Sequence, residues 1–252
     1  FMYQAYGKPF PQTWIDHLRS HGAAAQLAWE PSQLAAVKDD AYLRNYARQA
    51  AKTGWPIFVR FASEMNGDWT PYHGDPALYR EKFRLVARVM HEEAQNVAMV
   101  WCPFEIPVRW IEPYFPGHDA VDWVGVNIYS VPFYDNDPHR RADWRNPADQ
   151  LRHVYGLYAD RHPILVCEYA ASHRSSLDHT LRSDFSVTKT AQMYASLPRL
   201  YPRIKGVCWL SMNAIATAIP GRQKNDYSLL NDEAKRAKYV ELAQSPYYLK
   251  HT

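Results

Sequence analysis

Two kinds of apolar pattern alternate along the chain. Short continuous apolar runs occupy residues 1–6, 24–29, 57–62, 97–102, 122–128, 164–168 and 206–212. The run at 57–62 is typical: β-branched and aromatic residues, with Gly54 and Pro56 before it and Asn66-Gly67 after it. Such runs read as strands covered on both faces, as in a parallel sheet. Between the runs, apolar residues recur every three or four positions, the spacing of one helix face. Trp14, Ile15 and Leu18 mark a helix over 11–21 that Gly22 stops, and Tyr42, Tyr46 and Ala50 mark one over 41–53 that Gly54 stops. Asp75-Pro76, a cap residue followed by proline at the first helical position, opens a third whose apolar face is Tyr79, Phe83, Val86 and Met90. Further helices are expected from Asn146-Pro147 through Tyr158, over 187–200, and over 232–243. In the second of these, Pro198 must distort or end the helix.

Strand and helix alternate throughout, without an internal repeat or a linker. The expected fold is therefore α/β: a (β/α)8 TIM barrel, a single domain over residues 1–252. An eighth strand is only weakly signalled, at 227–230. The favoured alternative places the barrel's first strand ahead of Phe1. The polar segment 132–145 is too long for a plain connection and is expected to shape one wall of a cleft.

Two of the runs end in a glutamate. Residues 57–62 lead to Glu64, with Trp69 and Tyr72 in the loop beyond, and residues 164–168 end on Glu168. Catalytic groups of such barrels stand at the C-terminal ends of strands. Paired carboxylates flanked by rings that stack on pyranose faces are the equipment of glycoside hydrolysis.

Composition narrows the class. The hydrophobic fraction of 47% marks a globular chain, and the aromatic share of 14%, with nine Trp and eighteen Tyr, suits a carbohydrate site as well as a ring-heavy core. The net charge of +3 is spread over interspersed residues, so no block of like charge points to nucleic acid. No apolar run approaches the roughly 20 residues of a membrane span, and no signal peptide is visible. The chain opens on Phe1-Met2-Tyr3, already strand-like, so upstream sequence, a signal or tether among it, is expected to have been removed. Cys102, Cys167 and Cys208 lie in expected strands and read as buried thiols, with a bridge between Cys167 and Cys208 left open. Neither the cysteines nor the eleven histidines show metal-ligand spacing, so no metal and no cofactor is expected.

The segment Arg60-Phe61-Ala62-Ser63-Glu64-Met65-Asn66-Gly67-Asp68-Trp69 resembles the acid/base segment of glycoside hydrolase family 26, a family of many β-mannanases. Residues 114–129, from Tyr114 through Asp122-Trp123 to Asn127-Ile128-Tyr129, resemble that family's sixth-strand segment. Ile164-Leu165-Val166-Cys167-Glu168 resembles its nucleophile strand. The three segments stand in the family's order over residues 24 to 230. Two departures stand out: Ser63 occupies the position where the family usually has histidine, and Asn127-Ile128 replaces a common Asp-Gly pair.

The resemblance implies a divergent, clan A type enzyme in which Glu64 is the acid/base and Glu168 the nucleophile. It places Tyr129 beside Glu168. It also agrees with a barrel whose first strand is missing, because the family's acid/base ends the fourth strand and Glu64 ends the third here. Substrate contacts are expected from Trp29, Arg60, Asn66, Trp69, Tyr72, Trp101, Tyr129, Trp209 and Asp226, and more weakly from Glu30 and Glu105. Each has a plain structural alternative: a strand-end ion pair with Arg60 for Glu64, core packing for Tyr129 and Trp209, a turn for Asn66, a loop cap for Asp226. Together these readings describe a retaining endo-glycosidase acting on a β-linked polysaccharide, either a plant β-glycan or a microbial exopolysaccharide. The basic charge and Ser63 favour the exopolysaccharide. An extracellular or periplasmic monomer is expected, with no nucleic-acid partner and no membrane span. The alternative is a catalytically silent barrel that binds a glycan during polymer secretion or processing.

Overall fold

The computed structural model describes residues 1–248. The seven apolar runs form β1 (Met2–Ala5), β2 (Ala25–Glu30), β3 (Ile57–Phe61), β4 (Val97–Trp101), β5 (Trp123–Ser130), β6 (Ile164–Ala171) and, after a short β7 (Arg174–Ser175), β8 (Ile204–Trp209). One sheet holds them in the order β1-β2-β3-β4-β5-β6-β8. β1 to β5 pair in parallel, with Val59 opposite Leu27 and Met99 for example. The amide of Val124 donates to Pro163 at the start of β6, and that of Ser172 donates to Ser130 at the end of β5, so β6 runs parallel as well. The strand–helix succession is that of a (β/α)8 barrel, with seven barrel strands among the described residues.

The helices form where the caps and apolar stripes place them. α1 is Gln12–Ser20. α2 (Ala41–Thr53) starts at Asp40, whose carboxylate accepts from the Leu43 amide, and stops at Gly54, which takes the left-handed conformation at φ 59°. α3 (Pro76–Glu93) starts at Asp75, which accepts from the Leu78 amide, and buries Tyr79, Phe83, Val86 and Met90. α4 is Pro147–Tyr158, α5 Ser183–Leu200, α6 the single turn Ala214–Thr217, and α7 Glu233–Ala243.

Several boundaries differ from the sequence reading: β6 does not end on Glu168 but continues to Ala171, and β5 runs to Ser130. No barrel strand forms at 227–230. Just before it, β9 (Asn225–Asp226) pairs antiparallel with β7 in a separate two-stranded ribbon, which the sequence reading did not expect. β8 ends at Trp209, not 212. α5 begins earlier than 187 and runs past Pro198 to Leu200. A proline leaves the carbonyl four residues back without its amide, and here the Tyr248 hydroxyl donates to that carbonyl, on Tyr194, at 2.8 Å.

The chain divides into two compact units, Phe1–Val126 with Tyr158–Leu165 and Asn127–Leu157 with Val166–Thr252. The first has a core of Leu27, Trp29, Tyr46, Phe61, Tyr79, Phe83 and Met99. In the second, α5 lies along α7, and Tyr169, Met193 and Leu197 are buried. All three cysteines are free; Cys102 and Cys167 are buried and Cys208 is half-buried. Among the described residues, no helix is long and apolar enough to cross a membrane.

Candidate active site

In the first unit, the end of β3 makes a sharp turn. Ala62 and Glu64 both have positive φ, 47° and 58°, a conformation that costs residues with a Cβ and persists only when the surroundings impose it. The surroundings are specific. The Ala62 amide donates to Trp29 at the end of β2, and the Glu64 amide donates to Cys102 just past β4. Between them, the Ser63 hydroxyl donates to Oε1 of Glu30 at 2.5 Å and its amide lies 3.2 Å from Oε2. The Tyr72 hydroxyl lies 2.6 Å from the same Oε2 and 2.5 Å from the Ser63 carbonyl. Burial pushes the Glu30 carboxyl up, partly offset by the Arg60 charge and by the Ser63 and Tyr72 hydrogen bonds. The position where glycoside hydrolase family 26 usually carries histidine is thus, here, a serine anchored on a carboxylate.

The turn presents Glu64 half-buried, with Nε1 of Trp69 donating to its Oε2 at 2.7 Å. Trp69 is 40% exposed and meets Phe104 edge-on at 5.3 Å between centroids. Gly67 lets the indole lie this close, since a Cβ there would overlap it.

In the second unit, Glu168 is fully buried near the end of β6. Two donors from β5 reach it. The Tyr129 hydroxyl donates to Oε2, and Nδ2 of Asn127 approaches Oε1 at 3.4 Å. The Tyr227 ring lies 5.4 Å from that of Tyr129. Burial pushes the Tyr227 phenol up, and the charge of Glu168 adds to the effect. Strand pleating explains the arrangement: Asn127 and Tyr129 are two residues apart and so share a face of β5.

The remaining expected residues divide. Trp29 and Trp101, read as cleft aromatics, have no exposed surface: Trp29 stacks on Tyr46 at 4.2 Å, and Trp101 packs between Phe115 and Tyr158. Both are core residues. Tyr72 is buried too, its hydroxyl engaged as above. Asn66 clamps the backbone of Phe104, donating to its carbonyl and accepting from its amide, each at 2.9 Å. Arg60 is buried, with its guanidinium over the Tyr3 ring and its charge acting on Glu30. Trp209 is half-buried among Tyr169, Tyr194 and Tyr239, and its indole donates to the Tyr227 carbonyl at 3.2 Å. Asp226 is buried and accepts from the Ser228 amide and the Asn231 side chain.

Three participants escaped the sequence reading. Asn127 entered it only as a departure from the family pattern, Tyr227 only within the weak strand signal at 227–230, and the Glu30–Ser63–Tyr72 linkage not at all. The spacing of 30, 63 and 72 carries no period; only the pairing of β2 with β3 brings them together. Among the described residues, no group of three or more His, Cys, Asp or Glu is arranged to hold a metal ion.

No protein-family model matches the chain. A β-1,3-xylanase of Vibrio sp is 32% identical over 82 residues, 30% of this chain and 17% of that protein. The alignments with the curated relatives thus span less than a fifth of those proteins. Among solved structures, the GH26 β-mannanase from Bacteroides ovatus superposes with a TM-score of 0.61 over 94% of this chain and 73% of that chain, at 14% identity. A Cellulomonas fimi endo-β-1,4-mannanase gives 0.66 over 94% and 57%, at 16% identity. The fold is that of the GH26 β-mannanases, at an identity that marks the chain as divergent from them.

Proposed function

We propose that this chain is a glycoside hydrolase that cleaves a β-linked polysaccharide internally and with retention, with Glu168 as nucleophile and Glu64 as acid/base. The observation that carries the reading is the carboxylate of Glu168, buried near a strand end and oriented by the Tyr129 hydroxyl. Support comes from Glu64, held at the end of another strand by a strained turn and capped by an indole donor. The names of the relatives, a xylanase, an endoglucanase and mannanases, all describe enzymes acting on glycans.

Glu168 attacks the anomeric carbon and forms a glycosyl ester while the Glu64 proton passes to the departing glycosidic oxygen. Glu64, now ionised, takes a proton from water, whose oxygen attacks the same carbon. The ester bond breaks and Glu168 leaves as carboxylate. Two inversions give net retention. Trp69 serves both as donor to Glu64 and, by its exposed face, as a stacking surface for a sugar ring. The polymer is a plant β-glycan or a microbial exopolysaccharide, met outside the cytoplasm by a monomer.

The test is release of reducing ends from a panel of β-glycans and bacterial exopolysaccharides by the native chain, Glu64→Gln and Glu168→Gln, with proton NMR of the first product anomer. The expected result is activity on one polymer, a β anomer formed first, and loss in both variants. Activity that persists in both variants overturns the residue roles. Binding without turnover on any polymer moves the assignment to a glycan-binding barrel.

A further inference from the structure

The ribbon of β7 and β9 walls a cavity of about 450 Å³ in the second unit. Its polar lining is His173, Arg174, His179, Asn213, Asp226 and Asn231. The hydrogen bonds of these groups are unevenly spent. Both oxygens of Asp226, the carboxylate of this lining, are occupied: Oδ1 accepts from the Ser228 amide, and Oδ2 accepts from Nδ2 of Asn231, each at 2.9 Å. His173 Nε2 stands 3.5 Å from the same Oδ2. On the far side of the His173 ring, Nδ1 lies 2.8 Å from Nζ of the fully buried Lys235. A lysine ammonium has only donors, so Nδ1 accepts, and the His173 proton sits on Nε2, facing Asp226. The floor of the cavity is therefore a chain, Lys235 to His173 to Asp226, in which each carboxylate oxygen already accepts one hydrogen bond and faces a further proton donor only at Oδ2.

Uncommitted donors stand beside this floor. The Arg174 guanidinium is exposed and makes no hydrogen bond or ion pair with any described residue, and the His179 imidazole is likewise exposed. Asn213 spends its oxygen on the Ala216 amide, which leaves its NH2 for the cavity. Backbone pairing of Arg174 with Asp226 and of Asn213 with Asp226 holds the walls in place. A concavity offering a guanidinium fork, an imidazole and an amide, with its carboxylate already engaged by Ser228, Asn231 and His173, matches a planar or tetrahedral oxyanion. It also adjoins the proposed nucleophile along the chain: His173 follows the strand that carries Glu168, and Asp226 precedes Tyr227.

We propose that this cavity recognises an acidic substituent, a uronate carboxylate or a sulfate ester, on a sugar of the polymer that Glu168 attacks. The proposal rests on the glycosidase reading for the identity of the ligand as a glycan. It commits the substrate to an anionic β-linked polysaccharide, with Arg174 as the specificity-determining residue.

Calorimetric binding to Glu168→Gln protein tests it, with three probes: a β-1,4-linked mannuronate tetrasaccharide, a sulfated galactan tetrasaccharide and neutral β-1,4-mannotetraose. One acidic probe is expected to bind about tenfold or more tighter than the neutral one, because hydrogen bonds to charged groups are the strong ones. Its affinity is expected to fall with added salt and to drop about tenfold in Arg174→Ala, with partial recovery in Arg174→Lys. Which acidic probe binds separates carboxylate from sulfate. Arg174 is exposed, so its replacement leaves the fold intact, and an unchanged melting temperature verifies this. Equal binding of acidic and neutral probes, no binding of either acidic probe, or indifference to Arg174→Ala overturns the proposal. Binding is read without a nucleophile, so such a failure leaves the glycosidase reading to stand or fall on reducing-end release.

Discussion

Tyr129 and Gly67 show how single side chains set the chemistry. Tyr129 donates to Glu168, and a hydrogen bond to a charged group contributes about 1.5–3 kcal/mol. Tyr129→Phe is therefore expected to lower kcat/KM by about 10- to 150-fold in steady-state assays; an unchanged value would mean that the bond is not kept during turnover. Gly67 leaves room for the indole that donates to Glu64. In Gly67→Ala the new methyl displaces Trp69, which is partly exposed and swings away cheaply. The expectation is a kcat reduced about tenfold with stability changed by less than about 0.5 kcal/mol, checked by kinetics and thermal melting. The opposite pattern, lost stability with kcat intact, would remove Trp69 from the chemistry. At this scale the sequence showed which residues lie toward the ends of strands but not which way rings point. Trp29 and Trp101 stand at strand ends as a sugar platform would, yet a strand buried on both faces has no polar alternation to mark the open side, and both rings face the core.

Among the elements, the join of β2 to the turn after β3 carries a pH signature. Glu30 accepts from Ser63 and Tyr72, and burial raises its folded-state pKa above the ordinary 4.5. Below 4.5 both folded and unfolded states hold the proton. As pH rises through the window between 4.5 and the raised value, the unfolded state releases it first, so stability falls across that window. Glu30→Gln cannot titrate. Whatever the constant offset from the altered Arg60 environment, the stability of the native chain relative to this variant is expected to decline as pH rises above about 4.5 in urea titrations. A difference that grows with pH would mean that Glu30 is stabilised in its charged form. Helix ends were legible because capping is local: Asp40, Asp75 and Gly54 act on neighbours within a turn. The β7–β9 ribbon was not, because two residues on each side are too short for any period and their pairing joins segments 50 residues apart. The carbonyl that Pro198 leaves without its amide is likewise met by a distant hydroxyl, that of Tyr248.

For the molecule as a whole, the free thiols give a direct check. Cys102, Cys167 and Cys208 are unbridged, although β6 and β8, which carry the last two, are neighbours in the sheet. Dithiothreitol is therefore expected to leave the melting temperature unchanged, and a thiol reagent to label the native chain at no site but Cys208; a fall in melting temperature on reduction would reveal a bridge. The alternation of apolar runs and amphipathic stripes determined the strand–helix succession and the fold class, because strand and helix periods are written in consecutive residues. It also pointed to Glu64 and Glu168 as carboxylates near strand ends, although β3 stops at Phe61 and β6 continues to Ala171. Tertiary structure alone decided what surrounds them: the Glu30 anchor under Ser63, the Asn127 and Tyr129 donors on Glu168, and the donor-lined cavity at the β7–β9 ribbon. Most of those contacts depend on register and join segments far apart in sequence, which no local pattern records.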